Sequence, residues 1–240
     1  MRLAIFSDIH GNMEAFKEVV RDIQEQRVQE CFFLGDAISY GPESDRVVRL
    51  LQRLDVHCVL GNHELALIQT HARNHFNSTA RQHFAQVESL VSEKSRRFIS
   101  TWPKIRREHG MLLVHGCPPD SITRYLFDLE ESHFFRIFQE MDDSVAFVGH
   151  THDLELIQDV DSEIRRMELS KGVYFLEGGK AVVNVGSVGQ PRDGDNRAKY
   201  VIWEPDTWRL EVRFVEYNIK KTAEGILKRG FPEFFARRLW

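Results

Sequence analysis

Short apolar runs alternate with amphipathic segments at the start of the chain. Leu3–Phe6, Glu30–Leu34 and Val56–Leu60 are apolar runs bounded by turn residues, a pattern typical of buried strands. Between them, Asn12–Arg27 carries apolar residues at helical spacing, and Pro42–Leu54 opens with a proline suited to a first helical turn. This strand–helix order predicts a parallel sheet with right-handed crossovers.

The middle of the chain predicts a helical region followed by a mixture of strands and helices. Residues 65–101 have a helical pattern in pieces. Lys104–Glu108 and Met111–Val114 predict a hairpin around a glycine turn, Glu131–Met141 predicts a helix, and Val145–Val148 predicts a strand. We therefore interpret residues 64–103 as a mostly helical insertion within a single domain of residues 1–240.

The pattern changes after residue 152 to short alternating strands. The predicted strands are Glu155–Gln158, Val173–Leu176, Ala181–Val185, Tyr200–Glu204 and Trp208–Val215. Turn pairs such as Gly178-Gly179 separate them, and helices are predicted from Ile219 and from Pro232. We expect these strands to form a second, largely antiparallel sheet. Two sheets packed face to face with helices outside would make an αββα sandwich.

Side chains that can bind a metal follow the ends of five apolar runs. They are Asp8, His10, Asp36, Asn62, His115, His150 and His152. In open α/β sheets, ligands bind beyond the carboxyl ends of the strands, so we expect these side chains to converge. Carboxylate, amide and imidazole ligands without thiolate suit Mn, Fe, Co, Ni or Zn. The set is large enough for two metal ions, which clamp the attacking and leaving oxygens of a displacement at phosphorus.

Each of these residues also has an ordinary structural explanation. A single histidine at a strand end is more often packed or solvated than a metal ligand. Asp8 and Asp36 both precede predicted helices, where an aspartate commonly caps the first turn. The coincidence of five strand ends, each with a suitable ligand, favours the metal site over these separate explanations.

The order of these motifs resembles the calcineurin-like metallophosphoesterase superfamily. The matching motifs are Asp8-x-His10, Gly35-Asp36, Gly61-Asn62-His63, His115-Gly116 and Gly149-His150-Thr151-His152. The segment GSVGQPRDGD, residues 186–195, is similar to the tail motif of its small bacterial and archaeal phosphodiesterase branch. The resemblance implies an α/β fold of four layers, an αββα sandwich of two mixed sheets flanked by helices.

The resemblance also implies roles for the site residues. It assigns Asp8, His10, Asp36 and His152 to one metal, and Asp36, Asn62, His115 and His150 to the other. Asp36 would thus bridge two divalent ions, with Mn favoured and Fe, Ni, Co or Zn as alternatives. The nucleophile would be a hydroxide held by the two metals.

Two further residues have predicted roles beside the metals. In the family, the histidine at the position of His63 protonates the leaving group; the alternative is that it caps a helix or orients a ligand. Arg192 could bind a phosphate oxygen, or it could pair with Asp193 or Asp195 instead. Val185 stands where the family usually has a proline before this loop, which puts the loop geometry in doubt.

The composition bears on the compartment and partners of the protein and leaves the predicted metal chemistry unchanged. The net charge of −4 gives no sign of a nucleic-acid-binding surface. Three unpatterned cysteines fit a reducing cytoplasm. Neither a signal peptide nor an apolar stretch of about 18 residues is visible, so no membrane association is predicted. His71 and His75 have a helical spacing that could bind zinc, but a solvated helix face is the favoured interpretation.

The sequence therefore predicts a cytoplasmic, metal-dependent phosphoesterase with a small phosphate ester or nucleotide as its substrate. Phosphodiesters are the favoured class. The alternatives are a dinucleoside polyphosphate hydrolase or a phosphoprotein phosphatase of the same fold. A non-catalytic scaffold is disfavoured because the ligands and His63 are intact. The oligomeric state stays open.

Overall fold

The computed structural model describes residues 1–76, 78–177 and 179–240. The side chains of residues 75 and 78–80 are not described. Gly178 of a predicted turn and the imidazole of the predicted His71/His75 pair at position 75 therefore lie outside the described part. His71 itself is exposed, as expected for a solvated face.

The described strands form two sheets of six. In spatial order, the first contains β3 (His57–Cys58), β2 (Glu30–Phe33), β1 (Leu3–Phe6), β11 (Ala198–Glu204), β12 (Arg209–Val215) and β9 (Gly172–Phe175). The second contains β4 (Ile105–Glu108), β5 (Met111–Val114), β6 (Val145–Val148), β10 (Ala181–Val185), β7 (Leu154–Val160) and β8 (Glu163–Glu168). The predicted parallel order of β1, β2 and β3 is confirmed. Strands β5, β6 and β10 are also mutually parallel, while the remaining pairs are antiparallel.

The expectation of a separate antiparallel sheet after residue 152 is wrong. Strands β11, β12 and β9 extend the first sheet, because β11 pairs with β1 in the register Leu3↔Trp203. Strands β10, β7 and β8 extend the second sheet, because β10 pairs with β6. Each parallel half would otherwise leave a buried strand edge without hydrogen-bond partners. Strand β8 was not predicted, since its sequence EIRRME is polar and mostly exposed.

Eight α-helices of the described chain surround the sheets. They are α1 (Met13–Glu25), α2 (Ser44–Arg53), α3 (Asn62–Ile68), α4 (Ser78–Leu90), α5 (Glu93–Ile99), α6 (Glu131–Glu140), α7 (Ile219–Lys228) and α8 (Glu233–Arg237). Helix α1 begins where predicted, because the Asn12 side chain accepts the Ala15 N–H at 3.1 Å as an N-cap. The division into one domain with an insertion at residues 64–103 stays a prediction.

The alternation of side chains in β1 explains the layers. Leu3 and Ile5 face the second sheet and form the core between the sheets, whereas Ala4 and Phe6 face the helices. Helix α6 covers the outer face of the second sheet through residues such as Phe134. The four-layer αββα prediction is therefore confirmed. No described helix is long and apolar enough to span a bilayer.

Candidate metal centre

The seven predicted metal ligands come together at one edge of the two sheets. Each lies just beyond the carboxyl end of β1, β2, β3, β5 or β6, as the strand-end argument requires. Six of the seven are buried, and Asn62 is half-buried. Polar side chains with this degree of burial need strong partners.

A first group of ligand atoms surrounds the carboxylate of Asp8. The His152 Nε2 lies 3.2 Å from Asp8 Oδ1, and the His10 Nε2 lies 3.6 Å from the same oxygen. The two imidazole nitrogens are 3.1 Å apart. Ligands about 2.0–2.2 Å from a metal lie about 2.8–3.6 Å from one another in octahedral or tetrahedral geometry. The group therefore has the dimensions of a metal-binding shell.

A second group lies on the other side of Asp36. The His115 Nε2 is 3.3 Å from Asp36 Oδ2 and 3.1 Å from the amide oxygen of Asn62. The ring of His150 lies 4.9 Å from that of His115, measured between centroids. Asp36 Oδ2 is also 3.7 Å from the His10 Nε2 of the first group. One carboxylate oxygen thus lies within reach of both groups.

Backbone carbonyl groups fix the orientation of three of the imidazoles. The Nδ1 atoms of His10, His115 and His152 bond to the carbonyl oxygens of Ile38, Leu34 and Gln190 at 3.0, 2.8 and 2.5 Å. With the proton on Nδ1, each Nε2 presents its lone pair to the centre. His150 is reversed: its Nε2 lies 3.2 Å from the Thr123 carbonyl oxygen, which leaves Nδ1 for a metal.

The electrostatics of Asp8 and Asp36 also fit a cation. Burial acts to raise the pKa of Asp8, but attraction to the neighbouring imidazoles of His152 and His10 holds it well below its usual range. Burial likewise opposes ionisation of Asp36, and His115 and His63 outweigh it. Asp8 Oδ1 is buried and has no hydrogen-bond partner among the described residues. Asp8 and Asp36 are thus two buried anions, and one of their oxygens has no hydrogen-bond partner within the described part of the chain. A divalent cation bound between them would balance a charge that no described side chain nearby balances.

Most of the ligands adopt an uncommon backbone conformation. Asp8, His10, Asp36, His150 and His152 have φ values of 56°, 47°, 64°, 68° and 70°. The left-handed region costs a non-glycine residue about 1–2 kcal/mol. Loop-to-loop hydrogen bonds hold the strained residues, as when the His10 N–H donates to the Asp36 carbonyl oxygen at 2.9 Å. Strain of this kind concentrates at functional sites.

The capping alternatives for the two aspartates have separate outcomes. Asn12, not Asp8, caps α1, and Asp8 Oδ2 instead accepts the His150 N–H at 3.0 Å. Asp36 Oδ1 accepts the His63 N–H at 2.9 Å in the first turn of α3. Asp36 therefore uses one oxygen for a helix start and leaves Oδ2 for the metal centre.

His63 lies beside the second ligand group and is buried by aromatic rings. Its Nδ1 is 2.7 Å from Ser39 Oγ, and its Nε2 is 3.8 Å from Asp36 Oδ2. The ring stacks on Phe76 at 4.6 Å, and Tyr40 contacts it edge-on at 5.0 Å. Burial lowers the pKa of His63 to about 3. Its side chain does not cap α3, whereas a role in orienting a ligand stays the alternative to the acid role.

Arg192 lines the same pocket as the ligands and His63. Its guanidinium donates to Gln190 Oε1 at 3.2 Å. The two aspartates that could have paired with it have other partners in the described chain. Asp193 Oδ1 binds Lys199 Nζ at 2.6 Å, and Asp195 binds the Arg197 guanidinium.

Sequence reasoning missed Glu64, which joins two of the loops that carry predicted ligands. This buried carboxylate accepts the backbone N–H groups of Asp36, Ala37, Ile38 and Gly61 at 2.7–3.2 Å. Burial, followed by repulsion from Asp36, raises the pKa of Glu64 to about 7. A glutamate three residues after Gly61 at the start of a helix is a capping-box signal, and that signal was available in the sequence.

The aromatic wall of the pocket was also missed. Tyr125 lies almost parallel to His150, with ring centroids 3.9 Å apart, and Phe127 stacks on Tyr125 at 4.8 Å. Phe127 is 62% exposed. The three rings form a continuous run from the predicted ligand His150 to the surface. Tyr125 and Phe127 follow β5, Phe127 within a single 3-10 turn (Leu126–Asp128), where the sequence has no periodicity that predicts their position.

Known proteins similar to this chain share its fold and belong to one family. The family model described as the calcineurin-like phosphoesterase superfamily domain matches residues 1–207. A crystal structure of a metallophosphoesterase from Sphaerobacter thermophilus is 32% identical, with a TM-score of 0.87 over 100% of this chain and 98% of that one. An uncharacterised protein of Methanocaldococcus jannaschii is 33% identical over 99% of this chain and 97% of its own length.

A more distant relative has a named activity. The symmetrical bis(5'-nucleosyl)-tetraphosphatase of Xanthomonas campestris is 24% identical over 59% of this chain and 45% of its own length. This chain therefore spans less than half of that relative.

These matches and the site define a metal-dependent class of phosphoester hydrolases. The chain belongs to the calcineurin-like phosphoesterase superfamily. The sequence-based prediction of the family, and of metal-dependent phosphoesterase chemistry, is confirmed.

Proposed function

We propose that this protein is a dinuclear phosphodiesterase that uses two divalent ions, with manganese as the favoured metal. The observation that carries the proposal is the position of Asp36 Oδ2, which lies 3.7 Å from His10 Nε2 and 3.3 Å from His115 Nε2. A carboxylate there would bridge the ions, and its charge would offset their repulsion. Asp8, His10 and His152 would complete one shell, and Asn62, His115 and His150 the other.

Two bound metals would lower the pKa of water toward neutrality and neutralise charge on the phosphate. The protein's own residues orient the ester around that centre. Backbone carbonyl groups hold His10, His115 and His152 in one tautomer. The site geometry is therefore set before a substrate arrives, which removes a reorganisation cost from the reaction.

His63 is the proposed donor of a proton to the leaving oxygen. Its Nδ1 bonds with Ser39, so Nε2 points toward Asp36 and the reacting region. Burial lowers the pKa of the free imidazole to about 3. An anionic ester beside Nε2 would favour the protonated ring, so we expect proton uptake to accompany substrate binding. General-acid catalysis of this kind contributes about 10²–10⁴-fold.

The charge of the pocket favours a diester over a monoester. Among the described residues that line it, Arg192 is the one with a permanent positive charge. A monoester carries about two negative charges and benefits from additional fixed cations, whereas a diester carries one. The aromatic run of Tyr125 and Phe127 offers a flat apolar surface for the second ester arm.

A dinucleoside polyphosphate hydrolase is the second candidate. The same aromatic surface could stack a nucleobase, and the relative from Xanthomonas campestris carries that activity in its name. Such a substrate bears several negative charges, which the single Arg192 would match poorly. We therefore rank it below a simple diester.

Two nitrophenyl esters distinguish the candidates. Manganese-loaded protein should hydrolyse bis(4-nitrophenyl) phosphate with a higher kcat/KM than 4-nitrophenyl phosphate. Arg192→Ala should reduce monoester turnover more than diester turnover, while Arg21→Ala at an exposed position of α1 should change neither. A clear monoester preference would reject the diesterase, and faster cleavage of a dinucleoside tetraphosphate would promote the second candidate.

The bridging role of Asp36 has its own test. Asp36→Asn keeps the shape of the side chain but removes a charge from the group that both shells share. We expect lower metal content at both sites and loss of turnover. Elemental analysis that still finds two ions per active chain would reject the bridge.

The role of His63 is tested through the leaving group. His63→Ala should leave metal content unchanged and lower kcat. The loss should be smaller for a nitrophenyl ester than for an alkyl ester, since nitrophenolate needs little protonation. Equal losses for both esters would exclude His63 as the acid.

A cytoplasmic location is part of the proposal. The three cysteines are free, and burial raises the thiol pKa of Cys31 and Cys117 to about 11. Free, unreactive cysteines fit a reducing compartment.

A further inference from the structure

A second group of imidazoles and carboxylates lies at the opposite end of the sheets from the metal centre. Glu30 is the first residue of β2, whose other end leads to Asp36. His57 is the first residue of β3, and Glu108 is the last residue of β4, just before the turn into β5. Because β2, β3 and β5 all run toward the metal centre, their starts lie at the far edge. The strand β2 and the short loop after it lie between Glu30 and Asp36, a reach of at most about 20 Å.

The donor atoms of these three residues converge. One ligand atom from each of Glu30, His57 and Glu108 lies within 4.8 Å of the others. His57 Nδ1 and Glu108 Oε2 are 3.2 Å apart. His109 Nε2 contacts Glu30 Oε2 at 3.0 Å and so fixes the orientation of that carboxylate. A partner of this kind, one step from the metal, is typical of protein metal sites.

The charge of the cluster is incompletely balanced. The cluster holds two carboxylates, and Arg106 Nη1 compensates Glu108 through its other oxygen, Oε1, at 2.5 Å. Counted without the imidazoles, Glu30, Glu108 and Arg106 leave one negative charge in excess. The side chains are 24–37% exposed, so water can complete a coordination shell.

We propose that Glu30, His57 and Glu108 bind a divalent transition metal, for which zinc is the best probe. One imidazole and two carboxylates are ligands that zinc accepts, with water in the fourth position. The cluster is separate from the catalytic centre and takes no part in the reaction.

The position of the cluster gives the metal a structural consequence. Glu30 and His57 belong to the first sheet, whereas Glu108 belongs to the second. Phe32 is fully buried between the sheets, and its ring lies 5.1 Å from that of His57. A metal here would close the open edge of the core and tie the two sheets together.

Zinc content of paired variants tests the site. After equilibration with zinc and removal of the free ion, His57→Ala should hold one ion fewer per chain than the natural protein. His133→Ala, which removes a half-buried imidazole from α6, should hold the same number as the natural protein. The difference does not depend on how many ions the catalytic centre holds. Equal zinc content in all three proteins would overturn the proposal.

Two further variants distinguish the loss of a metal ligand from misfolding, and a metal site from ordinary ion pairs. Glu30→Gln changes a partly exposed carboxylate at a strand start and should weaken zinc binding at this site by about 10-fold or more. Arg106→Gln removes the guanidinium that pairs with Glu108, and it should therefore strengthen zinc binding at this site. Manganese-supported activity should stay unchanged in His57→Ala. If Arg106→Gln has no effect on zinc affinity, the cluster is a pair of His–Glu contacts and the proposal fails.

Discussion

Lys199 offers a sharp test of how the loop of Arg192 is held. Its side chain is fully buried, and its ammonium binds Asp193 Oδ1 at 2.6 Å and the Asp195 carbonyl oxygen. The ring of Phe214 lies 5.1 Å from the ammonium. We expect Lys199→Met to preserve the volume of the buried stem while it removes the charge that occupies Asp193.

The magnitude follows from what the substitution leaves behind. Removing one partner of a buried ion pair costs about 3–5 kcal/mol. The Asp193 carboxylate is 20% exposed and regains some hydration, so we expect a loss of about 2–3 kcal/mol in the free energy of unfolding. The released carboxylate can then pair with Arg192, one residue away. We therefore expect the kcat/KM of Lys199→Met for phosphate esters to fall about as far as that of Arg192→Ala.

Urea unfolding and steady-state kinetics on the same protein separate these effects. Lys199→Met/Asp193→Asn should recover most of the activity, because the competing charge is gone, although stability stays reduced. Lys220→Met removes an exposed lysine and should change stability by less than about 0.5 kcal/mol. The reasoning is refuted if Lys199→Met is fully active, or if the double variant is as impaired as the single one.

Three other changes have defined outcomes. Glu64→Ala strips the acceptor from several buried N–H groups and should lower the free energy of unfolding by about 3 kcal/mol or more, measured in urea. Phe127→Leu should raise the KM for a diester with a nucleoside arm about 5-fold, since stacking contributes about 1 kcal/mol or more. The KM for a diester with a methyl arm should stay unchanged. Burial opposes ionisation of Asp22, but bonds from Arg213 and Tyr200 outweigh it and lower its pKa. The stability from this carboxylate is therefore present above the unfolded pKa and lost as pH falls through the folded one. Asp22→Asn should therefore reduce the fall in the free energy of unfolding at acid pH. An unchanged dependence on pH would contradict this.

The convergence of the predicted ligands at one sheet edge was predictable because it depends on strand direction alone. Once β1, β2 and β3 are parallel, Asp8, Asp36 and Asn62 must follow strand ends at one edge of the sheet. Strand existence is the most reliable inference from apolar runs, and the site needed little more. The left-handed backbone of residues such as His10 depends on bonds between distant loops, so local sequence does not show it.

The partition of the later strands was not predictable from their patterns. An alternating strand indicates which face is apolar, but it does not indicate which sheet it joins. β11 follows β10 in the chain and yet lies in the other sheet. The polar β8 has no apolar face to identify it. Tyr125 and Phe127 lie in and beside a single 3-10 turn after β5, where position depends on the stacking of Tyr125 on His150 and of Phe127 on Tyr125.

The pairing of β1 with β11 has a consequence for how the chain acquires its structure. Leu3 and Trp203 are adjacent in the sheet but 200 positions apart in the chain, so their contact needs closure of a very long loop. At a synthesis rate of about 5–20 residues per second, β11 is made on the order of 10–40 seconds after β1. During that interval one edge of β1 stays open to other chains. We expect C-terminal truncations before β11 to aggregate rather than fold as shorter enzymes.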